Sequence, residues 1–515
     1  MRNLSWLLPA LFVAGVASAQ DLENRTSHVD EVQDDALQTD FLFESQWHEL
    51  NNLDFRPLDE DSDQAIFDSD DRHGFAFTGV AATLGYQVDD RTRYVVGMSH
   101  RGLWGNDQMG GTNTFGGWAY FTAAYADYRM GDGDKATSVR VGRQFFDLGG
   151  LGGGRDYILS DILDMVRVDV KLGNAGTLVL VPMNVMGLTS ATDDAVLYRY
   201  IGQSSPSTFG FRGDHMTRRM GGVLRLDGLS DALDASAYGF YTDIGALGTG
   251  SDISYHGLLG NFSDNDWVAN AGARASYAAG AVTPFVAVDL STGIDRKELI
   301  ARDVDTSGFA VYAGASLDTR DNAGKGIKGR ASFFQAQGGA YAQDGMQYSH
   351  GYTGMNGKYV GGVLTGRYLG IRPTAYVGMF GISDSPHDIN RKGGAQVIEV
   401  QGSYDTSTVE IGAAFYMLAD TGITYVDMAE VDTITPPYGY SREAFRAEGR
   451  LGKSLGQEVD LTLDAKVYEH ISVGLQGAVF LPGAFYAQEV SRIAGDALGG
   501  EAMAWAVNGG TTVRF

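Results

Sequence analysis

The chain has 515 residues, with 64 Asp and Glu against 39 Lys and Arg, a formal net charge of −25 and no cysteine. An acidic balance of that size argues against a nucleic-acid partner, which it would repel, and the missing thiols exclude a disulfide scaffold and any cysteine nucleophile or thiolate metal site. Glycine is frequent (71), proline scarce (10) and aromatics reach 11%, while a mean hydropathy of −0.14 is too low for a bundle of spanning helices.

Met1-Arg2 is a short basic start, Leu7 to Val16 an apolar run, and Val16-Ala17-Ser18-Ala19 an A-x-A cleavage pattern. The run falls short of the roughly 20 residues a spanning helix needs. Residues 1–19 are therefore expected to be a secretory signal peptide, with the mature chain starting at Gln20. Residues 20–38 are polar, acidic and without periodicity, a periplasmic segment too short for a plug domain. The remainder, 39–515, has one uniform texture and is expected to be a single folded unit. Phe41 to Ser45 begins a first strand. The acidic run that follows, Asp59-Glu60-Asp61-Ser62-Asp63 and Asp68-Ser69-Asp70-Asp71, resembles the start of a calcium loop, but Gln64 stands where the tight-turn glycine is needed. A solvated loop is the simpler reading, and no metal is assigned.

From Gly74 onward, strands of alternating character follow one another, joined in turn by short connectors and long ones. They begin with Thr92–Leu103, Phe115–Met130, Thr137–Phe146, Leu163–Lys171, Gly176–Met186, Arg218–Leu226, Ala235–Ile244 and Trp267–Ala278. Val282–Leu290, Gly308–Leu317, Ile327–Gln337, the pair Tyr359–Leu369 and Pro373–Ile382, Val397–Tyr404 and Val409–Leu418 come next. Glu458–Val467, Ile471–Phe480 and Met503–Phe515 close the series. Short turns fall at Asp89-Asp90-Arg91, Leu172 to Ala175, Leu229-Ser230-Asp231, Asp321 to Gly326 and Thr406-Ser407. Long segments (189–214, 247–266, 343–357, 420–456, 482–500) alternate with them. Such asymmetry, with hydrophobicity hidden by alternation, is the pattern of a transmembrane β-barrel with short periplasmic turns and long extracellular loops.

In the last strand, Met503, Trp505, Val507, Gly509, Thr511, Val513 and Phe515 share one face, and Ala506, Asn508, Gly510, Thr512 and Arg514 the other. Ending on an aromatic, it resembles the closing strand of bacterial outer-membrane barrels. The resemblance implies an assembly signal carried by Trp505, Val513 and Phe515 and read by the barrel-assembly machinery. The plainer alternative is the edge strand of a soluble sheet, which would be an aggregation hazard.

Two stretches carry a narrower resemblance. Leu455-Gly456-Gln457-Glu458-Val459-Asp460-Leu461, followed by Val479 to Phe485, is similar to the C-terminal signature of the alginate-export porin family. Ala126-Asp127-Tyr128 followed by Val139-Arg140-Val141-Gly142-Arg143-Gln144 is similar to that family's earlier signature. The resemblance implies an all-β, monomeric barrel of about 18 strands. The residue count runs to about twenty, within a range of 16–20, which makes the pair Tyr359–Ile382 the first candidate for an elaboration. Residues 189–357 carry no match, so the substrate does not follow from the family.

Alternation assigns side chains to the lumen. Val166, Val168 and Val170 face lipid, so Arg167, Asp169 and Lys171 face inward. Arg140, Arg219, Arg225, Arg274, Arg330 and Arg367 project inward by the same rule, and Arg143 of the early motif is grouped with them. Glu399, Glu410, Glu458, Asp460 and Asp464 form an acidic set on the later strands. Either these charges tune selectivity or they pair across neighbouring strands and solvate the wall. Gly149 to Gly154 followed by Arg155 lacks the Lys-Ser/Thr of a phosphate loop and reads as a constriction loop presenting Arg155 to the lumen.

None of the nine histidines lies in an H-E-x-x-H context and no G-x-S-x-G occurs, so no catalytic residue is assigned. The sequence reads as an outer-membrane channel of the alginate-export type, passing anionic or saccharide solutes passively and without a cofactor. Its expected partners are outer-membrane lipids and a small hydrophilic solute or polysaccharide, with no nucleic acid. Two alternatives stand: a general porin for sugars or organic ions, and a surface barrel whose acidic loops bind a partner or polysaccharide.

Overall fold

The computed structural model describes residues 37–52, 72–104, 119–131, 136–149, 151, 156–186, 217–226, 230, 232–244, 266–295, 304–341, 347–349, 351–355, 361–368, 394–421, 454–484 and 502–515. Eighteen strands make the wall: β1 (Leu37–Asn51), β2 (Arg72–Gln87), β3 (Thr92–Trp104), β4 (Ala119–Met130), β5 (Thr137–Asp147) and β6 (Ser160–Lys171). β7 (Thr177–Met186), β8 (Thr217–Arg225), β9 (Leu233–Ile244), β10 (Asp266–Tyr277), β11 (Val282–Asp295) and β12 (Gly308–Asp318) follow. The last are β13 (Lys325–Ala336), β14 (Ala395–Thr406), β15 (Val409–Asp420), β16 (Ser454–Tyr468), β17 (Ile471–Pro482) and β18 (Ala504–Arg514). Each pairs antiparallel with its neighbour in sequence, and β18 pairs back onto β1 from Leu42↔Arg514 to Asn51↔Trp505. The sheet is therefore closed and leaves no edge, which is what allows strands to cross hydrocarbon.

The pleat sorts the two faces. On β3, Tyr94, Val96 and Met98 are exposed, whereas Arg93, Val95 and Ser99 are buried. On β11 the exposed set is Val286, Val288 and Leu290, and the buried set Phe285, Ala287, Asp289 and Ser291. On β16, Val459 and Leu461 point out while Glu458 and Asp460 are buried inside. An apolar skin with charged groups such as Arg93, Asp289, Glu458 and Asp460 buried inside is the reverse of a water-soluble barrel. This is an outer-membrane barrel. Among the described residues no helix is long and apolar enough to cross a membrane.

With an even number of strands both chain ends of the barrel lie on one rim, together with the short turns, which the outer-membrane rule makes periplasmic. Asx chemistry sets two of these turns. Asp89 Oδ1 accepts the N–H groups of Arg91 (2.9 Å) and Thr92 (2.7 Å), bonds that hold its carboxyl below the usual carboxylate range. Asp321 Oδ1 accepts from Ala323 and Lys325, both at 2.9 Å.

One expected hairpin is absent. β13 pairs directly with β14, so the Tyr359–Leu369 strand is not part of the wall; instead Val363–Tyr368 forms a π-helical turn. Residues 361–366 are all buried, and a wall strand must expose alternate side chains to lipid. The second half of that hairpin, Pro373–Ile382, lies outside the described residues, as do residues 1–36 and the acidic run before β2.

Closure rests on Phe41 and Phe515, which exchange backbone hydrogen bonds of 2.9 Å in both directions with ring centroids 6.4 Å apart. Beside them Arg514 forks onto Asp40 through two contacts of 2.9 Å. Val513 stands between Ile471 and Phe43, and Trp505 between Val479 and Asn51. Deleting Phe515 removes two main-chain bonds worth about 1 kcal/mol each together with the ring contact. The folded, heat-modifiable band in outer-membrane fractions is expected to fall; an unchanged band would show that closure does not depend on this residue.

Candidate functional site: the folded-in lumen

Two segments leave the wall and fold into the barrel. The first, between β5 and β6, carries Leu148, Leu151, Asp156, Tyr157, Ile158 and Leu159, all buried. Asp156 ties it together. Oδ1 accepts the N–H groups of Ile158 (2.9 Å) and Leu159 (3.2 Å), and Oδ2 accepts that of Leu148 (2.8 Å) and Nη1 of Arg274 on β10 (3.1 Å). Both charged side chains are at least 97% buried, with 3% and 0% of their surface exposed. Arg330 on β13 donates to the carbonyl of Leu151 (3.2 Å) and lies over the rings of Phe285 and Tyr312, at 5.0 and 5.4 Å. Tyr157 packs edge-on against Tyr312 and Phe334, and its hydroxyl donates to Glu399 Oε2 (3.3 Å), which also accepts from Ser332 (3.0 Å).

The second segment lies between β13 and β14. Tyr352, fully buried, donates its hydroxyl to Asp289 Oδ2 at 2.6 Å. Asn270 bridges the same Oδ2 (3.0 Å) and the carbonyl of Thr353 (2.9 Å), and Ser291 accepts the Thr353 N–H (3.0 Å). Arg219 reaches from β8 to the Met355 carbonyl (3.1 Å) and to Thr242 (3.0 Å). Met355 N–H donates in turn to the Ile158 carbonyl (3.2 Å), so the two segments are joined through their backbones. Further along, the turn 361–368 rests on two carboxylates of β16. Asp460 Oδ2 accepts the Val363 N–H (3.0 Å), and Glu458 accepts the N–H groups of Leu364 and Thr365 and the Thr365 hydroxyl.

The residues singled out from sequence thus fall into distinct groups. Arg219, Arg274, Arg330, Glu399, Glu458 and Asp460 are on the luminal face and hold the folded-in segments. Arg140, Arg167, Asp169, Lys171, Arg225, Glu410 and Asp464 are on the same face and only partly buried or exposed. Arg140 forks onto Asp127 (3.1 and 2.8 Å) and stacks on Tyr125 at 4.3 Å; Arg167, its direct cross-strand neighbour, forks onto Asp169 (2.8 and 2.7 Å). Lys171 donates to Thr177 (3.0 Å), and Arg225 to the Asp147 carbonyl (3.3 Å). Glu410 accepts from Ser403 (2.7 Å), stands 3.7 Å from the Lys328 ammonium, and lies opposite Asp464.

Two placements differ from the expectation. Arg143 lies on the outer face: its cross-strand partner is exposed Ala124, it is two residues from exposed Val141, and it forks onto Asp164 at 2.8 and 2.6 Å. The shift from Arg140 is three residues, an odd number, which reverses the face. Arg367 belongs to the turn inside the barrel and not to a wall strand. Arg155 lies outside the described residues, although its neighbours Leu151 and Asp156 do enter the lumen. The sequence reading passed over Asp156, Tyr157, Asn270, Asp289 and Tyr352. Asp289 was legible, since it shares the inward parity of Phe285 and Ala287. Among the described residues no group of three or more His, Asp or Glu side chains is placed to hold a metal ion.

No family model and no curated protein matches the chain, so the motif resemblance to alginate-export porins gains no support there. Solved structures do match over nearly its whole length. The outer membrane protein opdK of Pseudomonas aeruginosa shares 8% identity at a TM-score of 0.46, covering 93% of this chain and 98% of that one. Acinetobacter baumannii OccAB2 shares 10% at 0.45 over the same shares of each chain, and P. aeruginosa OprD 10% at 0.44, covering 93% and 95%. The fold of this chain rests on its own strand pairing.

Removing one partner of a buried ion pair strands the other charge, at a cost of about 3–5 kcal/mol. Asp156→Ala is expected to destabilise the barrel by at least that much in denaturant unfolding in lipid vesicles, since three buried N–H groups lose their acceptor as well, whereas adding Arg274→Met to it is expected to recover part of the loss by removing the stranded charge. Additive losses would show that the two groups are not coupled.

Proposed function

We propose that the protein is a passive outer-membrane channel of the general porin type, for small hydrophilic solutes, and not an exporter of an alginate-like polymer. The observation that carries this reading is the packing inside the barrel. Two segments enter the lumen and bury Tyr157, Tyr352 and Leu364 against its wall, a packing that stands in the way of a bulky polymer. The charged side chains outside that packing, Arg140, Arg167, Asp127 and Asp169, keep 16–22% of their surface exposed within the barrel and mark the wetted route. The proposal involves no chemical step and calls on no cofactor.

Fixed charges beside a narrow aqueous route act on passing ions at short range, where salt screens them less than across an open pore. Planar-bilayer recordings with a salt gradient, combined with liposome swelling in sugars of increasing size, test the reading. Conductance with a sharp size limit at small sugars is expected. Free passage of oligouronates would restore the polymer reading, and a barrel that does not conduct would favour the surface-binding alternative. Changing Arg140 and Arg167 together to Gln is expected to move the reversal potential toward cations, and changing Glu410 to Gln with Asp464 to Asn to move it toward anions. Shifts of equal sign for both pairs would remove these residues from the solute route.

A further inference from the structure

Two buried aspartates organise the luminal packing, and only one of them is neutralised. Asp156 meets Arg274 at 3.1 Å, whereas Asp289, 1% exposed on β11, has no ion pair among the described residues. Its two oxygens are also used unequally. Oδ2 accepts from the Tyr352 hydroxyl and from Asn270 Nδ2, while Oδ1 meets no donor among the described residues. Two further oxygens are in the same condition. Asn270 Oδ1 and the Tyr238 hydroxyl make no hydrogen bond among the described residues, although these side chains are only 2% and 6% exposed.

Strand pairing brings the three together. Gly272 of β10 stands opposite Tyr238 on β9 and opposite Asp289 on β11. A Cβ at Gly272 would fall 2.3 Å from the Tyr238 hydroxyl oxygen, so the tyrosine lies across the glycine and carries its hydroxyl from β9 toward Asp289. Asn270, two residues from Gly272 on the same inner face, reaches the same carboxylate. Arg274, two residues the other way, gives Nη1 to Asp156, and its Nε has no acceptor among the described residues. With Arg274 balanced by Asp156, the niche keeps one net negative charge. A water could satisfy these hydrogen-bonding groups, but it would leave that buried charge uncompensated, which is costly. The ligand atoms are hard oxygens and only one carries charge. Calcium takes about 6–8 oxygens, several carboxylates commonly among them, and no group of three or more His, Asp or Glu exists for it among the described residues. One carboxylate, one amide oxygen and one hydroxyl suit a single positive charge.

We propose that Asp289 Oδ1, Asn270 Oδ1 and the Tyr238 hydroxyl form a site for a monovalent alkali cation, sodium or potassium. The cation neutralises Asp289 and so steadies the carboxylate to which Tyr352, and with it the second folded-in segment, is bonded. The site stands whether or not the barrel conducts.

Urea unfolding of the full-length protein in lipid vesicles, in sodium, potassium or choline chloride at equal concentrations, tests it. An ion that binds only the folded state stabilises it by mass action. A tenfold rise in sodium or potassium above its dissociation constant is therefore expected to raise the folded-to-unfolded ratio about tenfold more than the same rise in choline. D289N removes the charge and is expected to abolish that difference, and Y238F, which takes away one ligand, to reduce it. Y352F removes a bond to Oδ2 alone; it is expected to lower stability and keep the difference, which separates ligation from packing. If D289N does not fold, Y238F and Y352F carry the comparison. Crystals grown in rubidium chloride give a direct measure, with an anomalous peak expected in contact with Asp289 Oδ1. Equal stability in the alkali and choline salts, an alkali effect unaltered in D289N or Y238F, or an ordered water at Asp289 Oδ1 without anomalous signal overturns the site.

Discussion

Hydrocarbon offers no partner to a peptide N–H, and the whole architecture follows from that constraint. Each unpaired group would cost several kcal/mol, so the sheet has to close, and β18 returns to β1 along ten paired positions from Leu42 to Asn51. Closure in turn imposes the alternation of faces. Apolar rows such as Tyr94, Val96 and Met98 face lipid, and charges such as Glu458 and Asp460 are driven inward, while Arg143 and Asp164 on the outer face neutralise each other. The acidic and basic residues of the strands are thus an outcome of closure as much as of any solute.

Inside, the same requirement reappears in a different medium. A segment entering the barrel brings peptide groups that must again find partners, and the luminal side chains supply them: Arg330 and Arg219 to carbonyls, Asn270 to a carbonyl, Glu458 and Asp460 to N–H groups. Asp156 satisfies its own segment and neutralises Arg274 at once. The wall charges therefore serve as struts in the luminal packing, and as partly buried ion pairs such as Arg140–Asp127 elsewhere.

Strand position and face were legible because period-2 alternation is a local property of sequence: Val166, Val168 and Val170 alone assign Arg167 and Asp169. The lumen was not, because its contacts join residues far apart. Tyr157 meets Glu399 across 242 positions, and nothing in Tyr157-Ile158-Leu159 distinguishes burial in a lumen from burial in a wall. Tyr359–Leu369 has the composition of a strand, and only the direct pairing of β13 with β14 excludes it. Arg143 shows that a shared motif does not imply a shared face, since its odd offset from Arg140 places it outside.

The bond from Met355 to the Ile158 carbonyl has a consequence for the order of assembly. It links two segments whose anchors lie on β8, β10, β11, β13, β14 and β16, so neither can be fixed until most of the wall stands in register. Hairpins between consecutive strands are short-range and fast to form, whereas contacts across a hundred or more positions come late. By the same measure the pairing of β18 with β1, Leu42 with Arg514, is among the late contacts, so wall and lumen are completed in the same stage.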